Sequence, residues 1–183
     1  MPDRDRLLAL LVERSYAKRD VVLASGRRSD FFIDCKQTVL TAEGHALVGN
    51  VMLDALSQLA TAPGAVAGVE LGGCPLASAV ALVSFQRGRP LDAIYVRKEA
   101  KEHGSARLLE GNTRIPTGTA VVILEDVVTT GGSTLKAAEK LRAAGYTLAG
   151  VIALVDRLEG GREAIEAAGL PLVTCFTRDD FPR

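Results

Sequence analysis

The sequence lacks an excess of charge of either sign and lacks a dense cysteine pattern. Lysine plus arginine and aspartate plus glutamate both number 22 among its 183 residues, so the chain has no net basic field for nucleic acid or an anionic membrane. Its three cysteines, Cys35, Cys74 and Cys175, are far apart and odd in number. This spacing argues against a disulfide framework or a zinc site and favours a reducing compartment.

Long apolar runs and two common nucleotide motifs are also missing. The N-terminal apolar run Leu7–Val12 is too short for a signal peptide. The longest uncharged stretch, residues 71–86, is interrupted by glycine and proline and falls short of a membrane span. Neither GxxxxGK followed by serine or threonine nor a GxGxxG after a strand occurs, which argues against nucleotide triphosphate hydrolysis and dinucleotide redox chemistry. We therefore expect a soluble, cytoplasmic protein.

What is present is an alternation of apolar strands and helical segments. With 183 residues, 48% of them hydrophobic, the chain is long enough for one domain with a full core. The alternation predicts an α/β fold in which a mostly parallel central sheet is flanked by helices on both faces. Strands are predicted over Val66–Leu71, Asp92–Val96, Val121–Leu124, Leu148–Val155 and Leu172–Phe176. Helices are predicted over Asp3–Ala17, from the N-cap Thr41 to about Thr61, and over Pro75–Gln86, Thr134–Ala144 and Gly161–Ala168.

The run Val121–Thr134 is the most informative stretch of the chain. It begins as a buried strand, Glu125 and Asp126 follow that strand, and a turn rich in glycine and hydroxyl groups leads into a helix. Backbone N–H groups and the positive end of the helix dipole would hold a phosphate at this turn. The two carboxylates cannot hold that phosphate, so we expect them to serve a group beside it, such as a sugar diol or a metal-bound group.

Other candidate ligand-binding positions fall at the same predicted edge of the sheet. Gly72–Gly73, Arg97 and Asp156–Arg157 each follow a predicted strand, and ligands of parallel sheets bind where the carboxyl ends of the strands meet. Arg97 opens a polar stretch, about residues 97–114, that contains one of only two histidines. Because long polar connections in compact domains are usually functional, this stretch is predicted to be a mobile catalytic loop.

These motifs resemble those of the type I phosphoribosyltransferases and, more narrowly, of the orotate phosphoribosyltransferases. Residues 121–133 look like the site for phosphoribosyl pyrophosphate (PRPP) in the wider family. The string RKEAKEHG, residues 97–104, resembles the loop of the orotate enzymes, and residues 25–36 resemble their N-terminal hood over the orotate ring. The resemblance implies a type I phosphoribosyltransferase-like fold over residues 1–183, with a small hood mainly from residues 1–40.

The resemblance also implies a reaction, in which PRPP and orotate give orotidine 5′-monophosphate and pyrophosphate during de novo UMP synthesis. It implies Mg²⁺ as a cofactor, held mainly through PRPP rather than by protein ligands, and a homodimer with shared active sites. Catalytic roles fall to Arg97, Lys101, His103 and Asp126. PRPP-binding roles fall to Arg97, Lys98, Lys101, His103, Glu125, Asp126, Val127, Val128, Thr129, Thr130, Gly131, Gly132 and Ser133. Orotate-binding roles fall to Phe31, Phe32, Thr129 and Arg157.

The sequence departs from the family pattern at two places and leaves two rival functions open. Many members carry a lysine where this chain has Ala24, and some carry a tyrosine–lysine pair where it has Leu71–Gly72. A phosphoribosyltransferase for a purine or uracil would share the phosphate turn but would not need Arg157 or the string at residues 97–103. A PRPP-sensing regulator would be expected to show a basic nucleic-acid surface, which the neutral charge balance does not favour.

Overall fold

A six-stranded, mostly parallel sheet forms the centre of the molecule. The computed structural model describes residues 1–22, 28–99 and 108–182, and for residues 19–22 and 28–30 it describes the backbone alone. The strands in chain order are β1 (Tyr16–Val22), β2 (Arg28–Ile33), β3 (Ala65–Val69), β4 (Asp92–Val96), β5 (Leu109–Glu110), β6 (Ala120–Val128), β7 (Thr147–Asp156) and β8 (Leu172–Thr177). The sheet has the order β5-β4-β3-β6-β7-β8, and its neighbouring strands are parallel except for the antiparallel pair β4–β5.

Helices cover both faces of this sheet, as the sequence predicted. They are α1 (Asp3–Arg14), α2 (Lys36–Val39), α3 (Ala42–Ala55), α4 (Glu70–Gln86), α5 (Gly132–Ala143) and α6 (Gly161–Ala167). Successive side chains of a strand point to opposite faces, so β6 contributes to two separate cores. Val122 and Leu124 belong to the core that contains Met52 of α3, whereas Ile123 belongs to the core that contains Leu141 of α5. The sheet is therefore buried on both faces, and its polar groups can reach a ligand only at the strand ends.

The N-terminal region forms a separate antiparallel pair, β1–β2. Helix α1 ends at Arg14 rather than at the predicted Ala17, because the chain turns at Ser15. The buried Ser15 hydroxyl lies 2.7 Å from the Thr38 hydroxyl, and the Ser15 carbonyl accepts a bond from the Asp34 N–H group. The hairpin therefore starts at Tyr16, well before the hood motif of residues 25–36. Residues 25–27 of the hood motif, and Ala24 before it, lie outside the described residues.

Helix α4 begins at Glu70, so the prediction of a helix start at Pro75 is wrong by more than a turn. The helix starts this early because β3 runs directly into it. Gly68 and Gly73 pack so closely that a Cβ atom on Gly68 would overlap the Gly73 carbonyl group. Glu70 takes a φ of 55°, which is rare for a residue with a side chain. Gly72 and Gly73, predicted to follow a strand directly, thus lie in the first turn of a helix.

Candidate active site

The predicted phosphate turn lies between the end of β6 and the start of α5. Gly131 has a φ of 79°, which favours glycine, and its carbonyl accepts the first helical bond, from Leu135. Helix α5 begins at Gly132, two residues before the predicted Thr134. The first N–H groups of any helix lack an intrahelical acceptor, and here Gly132 and Ser133 are exposed. The turn therefore offers free backbone donors at the positive end of a helix dipole.

Helix α6 braces the turn from behind. A Cβ atom on Gly161, the first residue of α6, would overlap the Val128 side chain and lie 2.7 Å from the Thr129 carbonyl oxygen. A Cβ atom on Gly131 would lie 3.1 Å from the Gly161 carbonyl oxygen. The end of β6, the turn at Gly131 and the start of α6 at Gly161 thus pack closely against one another. This packing fixes the direction in which the N–H groups of the turn point.

Glu125 is buried and faces the start of α5 from inside β6. Its Oε2 atom accepts hydrogen bonds from the hydroxyl groups of Thr134 (2.8 Å) and Ser133 (3.2 Å). Burial, and then the charge of Asp126, raise the pKa of Glu125 from 4.5 to about 8, although both hydroxyl bonds oppose this shift. The strand was predicted to end at Leu124, but it continues to Val128, so both acids belong to the strand. Glu125 consequently joins β6 to α5 through its hydrogen bonds with Ser133 and Thr134.

Asp126 points from β6 toward the first turn of α4. Its Oδ1 atom accepts a hydrogen bond from the N–H group of Val127 (2.8 Å), and burial raises its pKa, which the nearby cation of Lys36 opposes. A Cβ atom on Gly72 would overlap the Asp126 carboxyl group. Gly72, which replaces a lysine found in some family members, therefore leaves the space that the Asp126 side chain occupies.

Arg97 and Lys98 follow β4 at the same edge of the sheet. The Arg97 N–H group donates to the Leu108 carbonyl (2.9 Å), so the two ends of the polar stretch are joined. The Arg97 guanidinium lies 3.4 Å from Glu110, and the Lys98 side chain is exposed. Lys101 and His103, the other two predicted members of this group, lie outside the described residues.

Arg157 is almost completely buried directly after β7. Its backbone N–H group donates to the carbonyl of Val128 (3.0 Å), which places it beside the phosphate turn. Its guanidinium donates to the Phe31 carbonyl (3.0 Å), forms an ion pair with Glu159 (2.9 Å) and lies 5.7 Å from the centre of the Phe31 ring. The structure thus brings together a predicted orotate arginine and a predicted hood phenylalanine that are 126 positions apart in the chain.

The two hood phenylalanines differ in their surroundings. Phe31 is buried, and its ring centre lies 5.2 Å from that of Tyr16 and 5.3 Å from that of Phe181. Phe32 is partly exposed, as is Thr129 of the phosphate turn. A cavity of about 330 Å³ lies beside Phe31. Its lining consists of Tyr16, Lys18, Phe31, Arg178, Asp179, Phe181 and Pro182. Phe31 therefore supports the hood from within, whereas Phe32 is the more accessible ring.

Oxygen donors for a divalent cation are few in this region. Within residues 1–22, 28–99 and 108–182, no group of three or more histidine, cysteine, aspartate or glutamate side chains is arranged to hold a metal ion. Glu125 already accepts two hydroxyl bonds, which leaves the half-buried Asp126 carboxylate as the accessible acidic oxygen of the pair. Mg²⁺ requires about six oxygen ligands and retains water readily, so a site of this kind fits an ion whose other ligands come from a substrate.

Sequence reasoning missed three cations near the site. Lys36 forms an ion pair with Asp34 (2.6 Å), and its charge partly offsets the rise that burial causes in the pKa of Asp126. Lys140 donates a hydrogen bond to the main chain after β4. The Arg178 guanidinium lies 5.7 Å from the centre of the Phe31 ring. Arg178 follows the last predicted strand, so the rule that ligands bind at strand ends would have found it. No pattern in the sequence pairs Lys36 or Lys140 with its partners.

Comparison with known proteins identifies the family to which this architecture belongs. Residues 41–168 match the model of the phosphoribosyl transferase domain. The orotate phosphoribosyltransferase of Sorangium cellulosum is 70% identical over 179 residues, which cover 98% of this chain and 93% of that protein. That of Bradyrhizobium sp. strain BTAi1 is 42% identical over 180 residues, which cover 97% of this chain and 96% of that protein.

A solved structure agrees with these sequence relatives. The orotate phosphoribosyltransferase of Mycobacterium tuberculosis in complex with PRPP superposes with a TM-score of 0.79 at 34% sequence identity, and 98% of each chain is covered. The chain therefore belongs to the phosphoribosyltransferase family, with its type I fold. Within that family it belongs to the orotate phosphoribosyltransferases.

Proposed function

We propose that this chain transfers the phosphoribosyl group of PRPP to orotate, giving orotidine 5′-monophosphate and pyrophosphate in pyrimidine biosynthesis. The observation that supports this most directly is the junction between Val128 and Arg157. The main-chain bond between them joins the strand that carries the two acids to the buried arginine suited to a planar carboxylate. One edge of the sheet thus has groups for both substrates, in reach of each other.

The donor substrate would be held at both of its ends. The N–H groups of Thr129 to Ser133 would bind the 5-phosphate, and Asp126 would accept hydrogen bonds from the ribose hydroxyl groups. Glu125 would act chiefly by holding Ser133 and Thr134 in place. Arg97 and Lys98 would bind the pyrophosphate group, together with Lys101 and His103 of the 97–114 loop. Held in this way, PRPP presents the anomeric carbon toward the end of β7, where Arg157 lies.

The acceptor would bind between the hood and the end of β7. Arg157 and Thr129 would contact the polar groups of orotate, and Phe32 and Phe31 would cover its flat ring. Orotate N1 is itself the nucleophile, so the protein needs no nucleophilic side chain. Negative charge develops on the leaving pyrophosphate, and the cations of Arg97, Lys98 and Lys101 stabilise it, while His103 or Lys101 donates a proton. Mg²⁺, when bound through PRPP, would neutralise part of the same charge.

A homodimer in which the 97–114 loop reaches the partner's active site is part of this proposal. Helix α4 carries three exposed apolar side chains, Leu71, Leu82 and Phe85. Leu82 and Phe85 follow Leu71 by about three and about four helical turns, which places all three on one face of the helix. A second copy of this chain is the partner we infer for that face. Mixing Lys101→Ala subunits with Arg157→Ala subunits should restore activity, and mixed dimers without activity would contradict shared sites.

The remaining features of the proposal concern the domain and the compartment. We infer one domain over residues 1–183, with the hood drawn mainly from residues 1–40. The three cysteines are free thiols, which suits the cytoplasm. In the part of the chain that the structure describes, no helix combines the length and the apolar character that crossing a membrane requires.

An absorbance assay that follows orotate with PRPP and Mg²⁺ tests the proposed reaction. We expect consumption of orotate that requires PRPP, and no turnover of adenine, hypoxanthine or uracil in the same panel. Turnover of another base with orotate untouched would favour the rival transferase. Retarded migration of DNA with PRPP present, without consumption of any base, would favour the regulator.

A further inference from the structure

Lys140 of α5 bonds the main chain immediately after β4. Its ammonium group donates to the carbonyl oxygens of Arg97 (2.7 Å) and Lys98 (2.9 Å). Charged donors make the stronger class of hydrogen bond, and two such bonds from one side chain hold two consecutive peptide groups. The Lys140 side chain lies half-buried between α5 and this segment.

These two bonds constrain the direction of the side chains that follow β4. The pairing of Val96 with Leu109 and the bond from Arg97 N–H to the Leu108 carbonyl hold the segment on its β5 side, and the pairing of Val96 with Val69 holds the end of β4 on its β3 side. Peptide groups are planar, so holding the carbonyls of Arg97 and Lys98 also fixes the rotation of the backbone around Lys98. The direction in which the Lys98 side chain leaves the backbone is thereby set from α5.

The same helix carries the phosphate turn at its other end. Lys140 lies about two turns, or roughly 12 Å, along α5 from Gly132. Between them, Thr134, Ala137 and Ala138 are buried, and Leu141, directly after Lys140, is buried as well. The helix is therefore a rigid connection between the N–H groups of the turn and the peptide groups of Arg97 and Lys98.

We propose that Lys140 is a positioning residue that orients Arg97 and Lys98 toward the pyrophosphate group of PRPP. Helix α5 then sets the separation between the group that binds the 5-phosphate and the group that binds pyrophosphate. The inference rests on the proposed function for the identity of the ligand, but its geometry involves only bonds between α5 and the segment after β4.

Three variants test this role. Lys140→Met keeps the length of the side chain and removes both hydrogen bonds, whereas Lys140→Arg keeps the charge and the donors. A cavity of about 480 Å³, lined by Leu108, Asn112, Thr113 and Ala143 among others, adjoins Lys140 and leaves space for the larger arginine. Lys136→Met, on the exposed face of the same helix, is the matched control for loss of a lysine.

Calorimetric titration with two separate probes gives the decisive measurement. We expect Lys140→Met to weaken binding of inorganic pyrophosphate with Mg²⁺ by about tenfold, the effect of losing a hydrogen bond to a charged group. Ribose 5-phosphate, which requires the turn and Asp126 but neither Arg97 nor Lys98, should bind the variant within about twofold of the unchanged protein. In steady-state assays the KM for PRPP should rise about tenfold. A mere loss of folded protein would instead lower the apparent kcat and leave KM unchanged.

The outcomes separate this inference from the proposed reaction. Unchanged pyrophosphate affinity in Lys140→Met, an equal loss for both probes, or an arginine variant as weak as the methionine variant would each overturn the role of Lys140. If Lys140→Met does not fold, Lys140→Gln, which keeps uncharged donors, replaces it with the same expected direction. If the unchanged protein binds both probes but does not consume orotate, the proposed reaction fails while the binding comparison still decides the role of Lys140.

Discussion

The two ends of the proposed active site are built in opposite ways. The phosphate turn comes from one continuous run, residues 121–134, and its donors are backbone N–H groups at the start of α5. The proposed base end depends on Phe31 and Arg157, which lie far apart in the chain, and Arg178 joins them around the Phe31 ring. A site made of backbone in a single run depends on local sequence, whereas a site made of side chains from several elements depends on the whole fold.

The two ends also differ in their electrostatics. The acids of the donor end, Glu125 and Asp126, point to opposite faces of β6, and burial raises the pKa of both, although the cation of Lys36 opposes the shift at Asp126. At the base end Arg157 is already paired with Glu159. Donor-end binding should therefore respond to the ionisation of protein carboxyl groups, and base-end binding should depend on the geometry of one guanidinium group.

The largest expected effect concerns Glu125 and the dependence of stability on pH. The folded-state pKa of about 8 lies above the ordinary 4.5, so the folded protein retains a proton that the unfolded chain releases. This contribution to stability is fully present below pH 4.5 and is lost as the pH rises to about 8, by roughly 3–5 kcal/mol in the free energy of unfolding. Chemical denaturation of the Glu125→Gln variant between pH 5 and 8 should give a flatter curve than that of the unchanged protein. Parallel curves for the two proteins would rule out the raised pKa.

The next effect separates the donor end from the base end. Asp126→Asn keeps the acceptor for the Val127 N–H group but loses the charge offered to the ribose hydroxyl groups, so PRPP affinity should fall by about 2–3 kcal/mol. Calorimetric titration with PRPP measures this change, and Asp179→Asn, at an exposed acid, is the control. Wild-type affinity in Asp126→Asn would remove the proposed contact with the sugar.

The smallest effect tests the base end alone. Arg157→Lys keeps the positive charge but cannot offer the planar fork that a carboxylate accepts, so the KM for orotate should rise by about tenfold. The KM for PRPP should stay within about twofold, because the N–H group of residue 157 still bonds the Val128 carbonyl. A change in PRPP binding as large as that in orotate binding would show that the two ends are not independent.

The architecture followed from the sequence because its signals are local. Apolar runs bounded by polar residues marked the positions of all five central parallel strands, and Thr41 caps α3 as predicted, accepting a bond from the Gly44 N–H group. The turn between β6 and α5 was predicted for the same reason. The boundary at Glu125 was wrong because two carboxylates suggest the end of a strand, while β6 continues to Val128 through its pairing with β7.

The side-chain partners did not follow from the sequence. Pro75 suggested a helix start, but the contact between Gly68 and Gly73 moves that start to Glu70. Arg157 was assigned to a ligand, yet its bond to the Phe31 carbonyl arises only when β2 and β7 meet in space. No periodic pattern in the sequence predicts the hydrogen bonds of Lys140 to the Arg97 and Lys98 carbonyls.

The contact between Gly72 and Asp126 limits how this site can change through mutation. The two positions compete for one small volume, so a side chain at residue 72 and the present orientation of the acid exclude each other. The overlapping atoms are the carboxyl end of a flexible side chain, so a rotation of Asp126 would make room for a side chain at residue 72. Introducing a side chain there would therefore change the orientation of the acid rather than the course of the backbone.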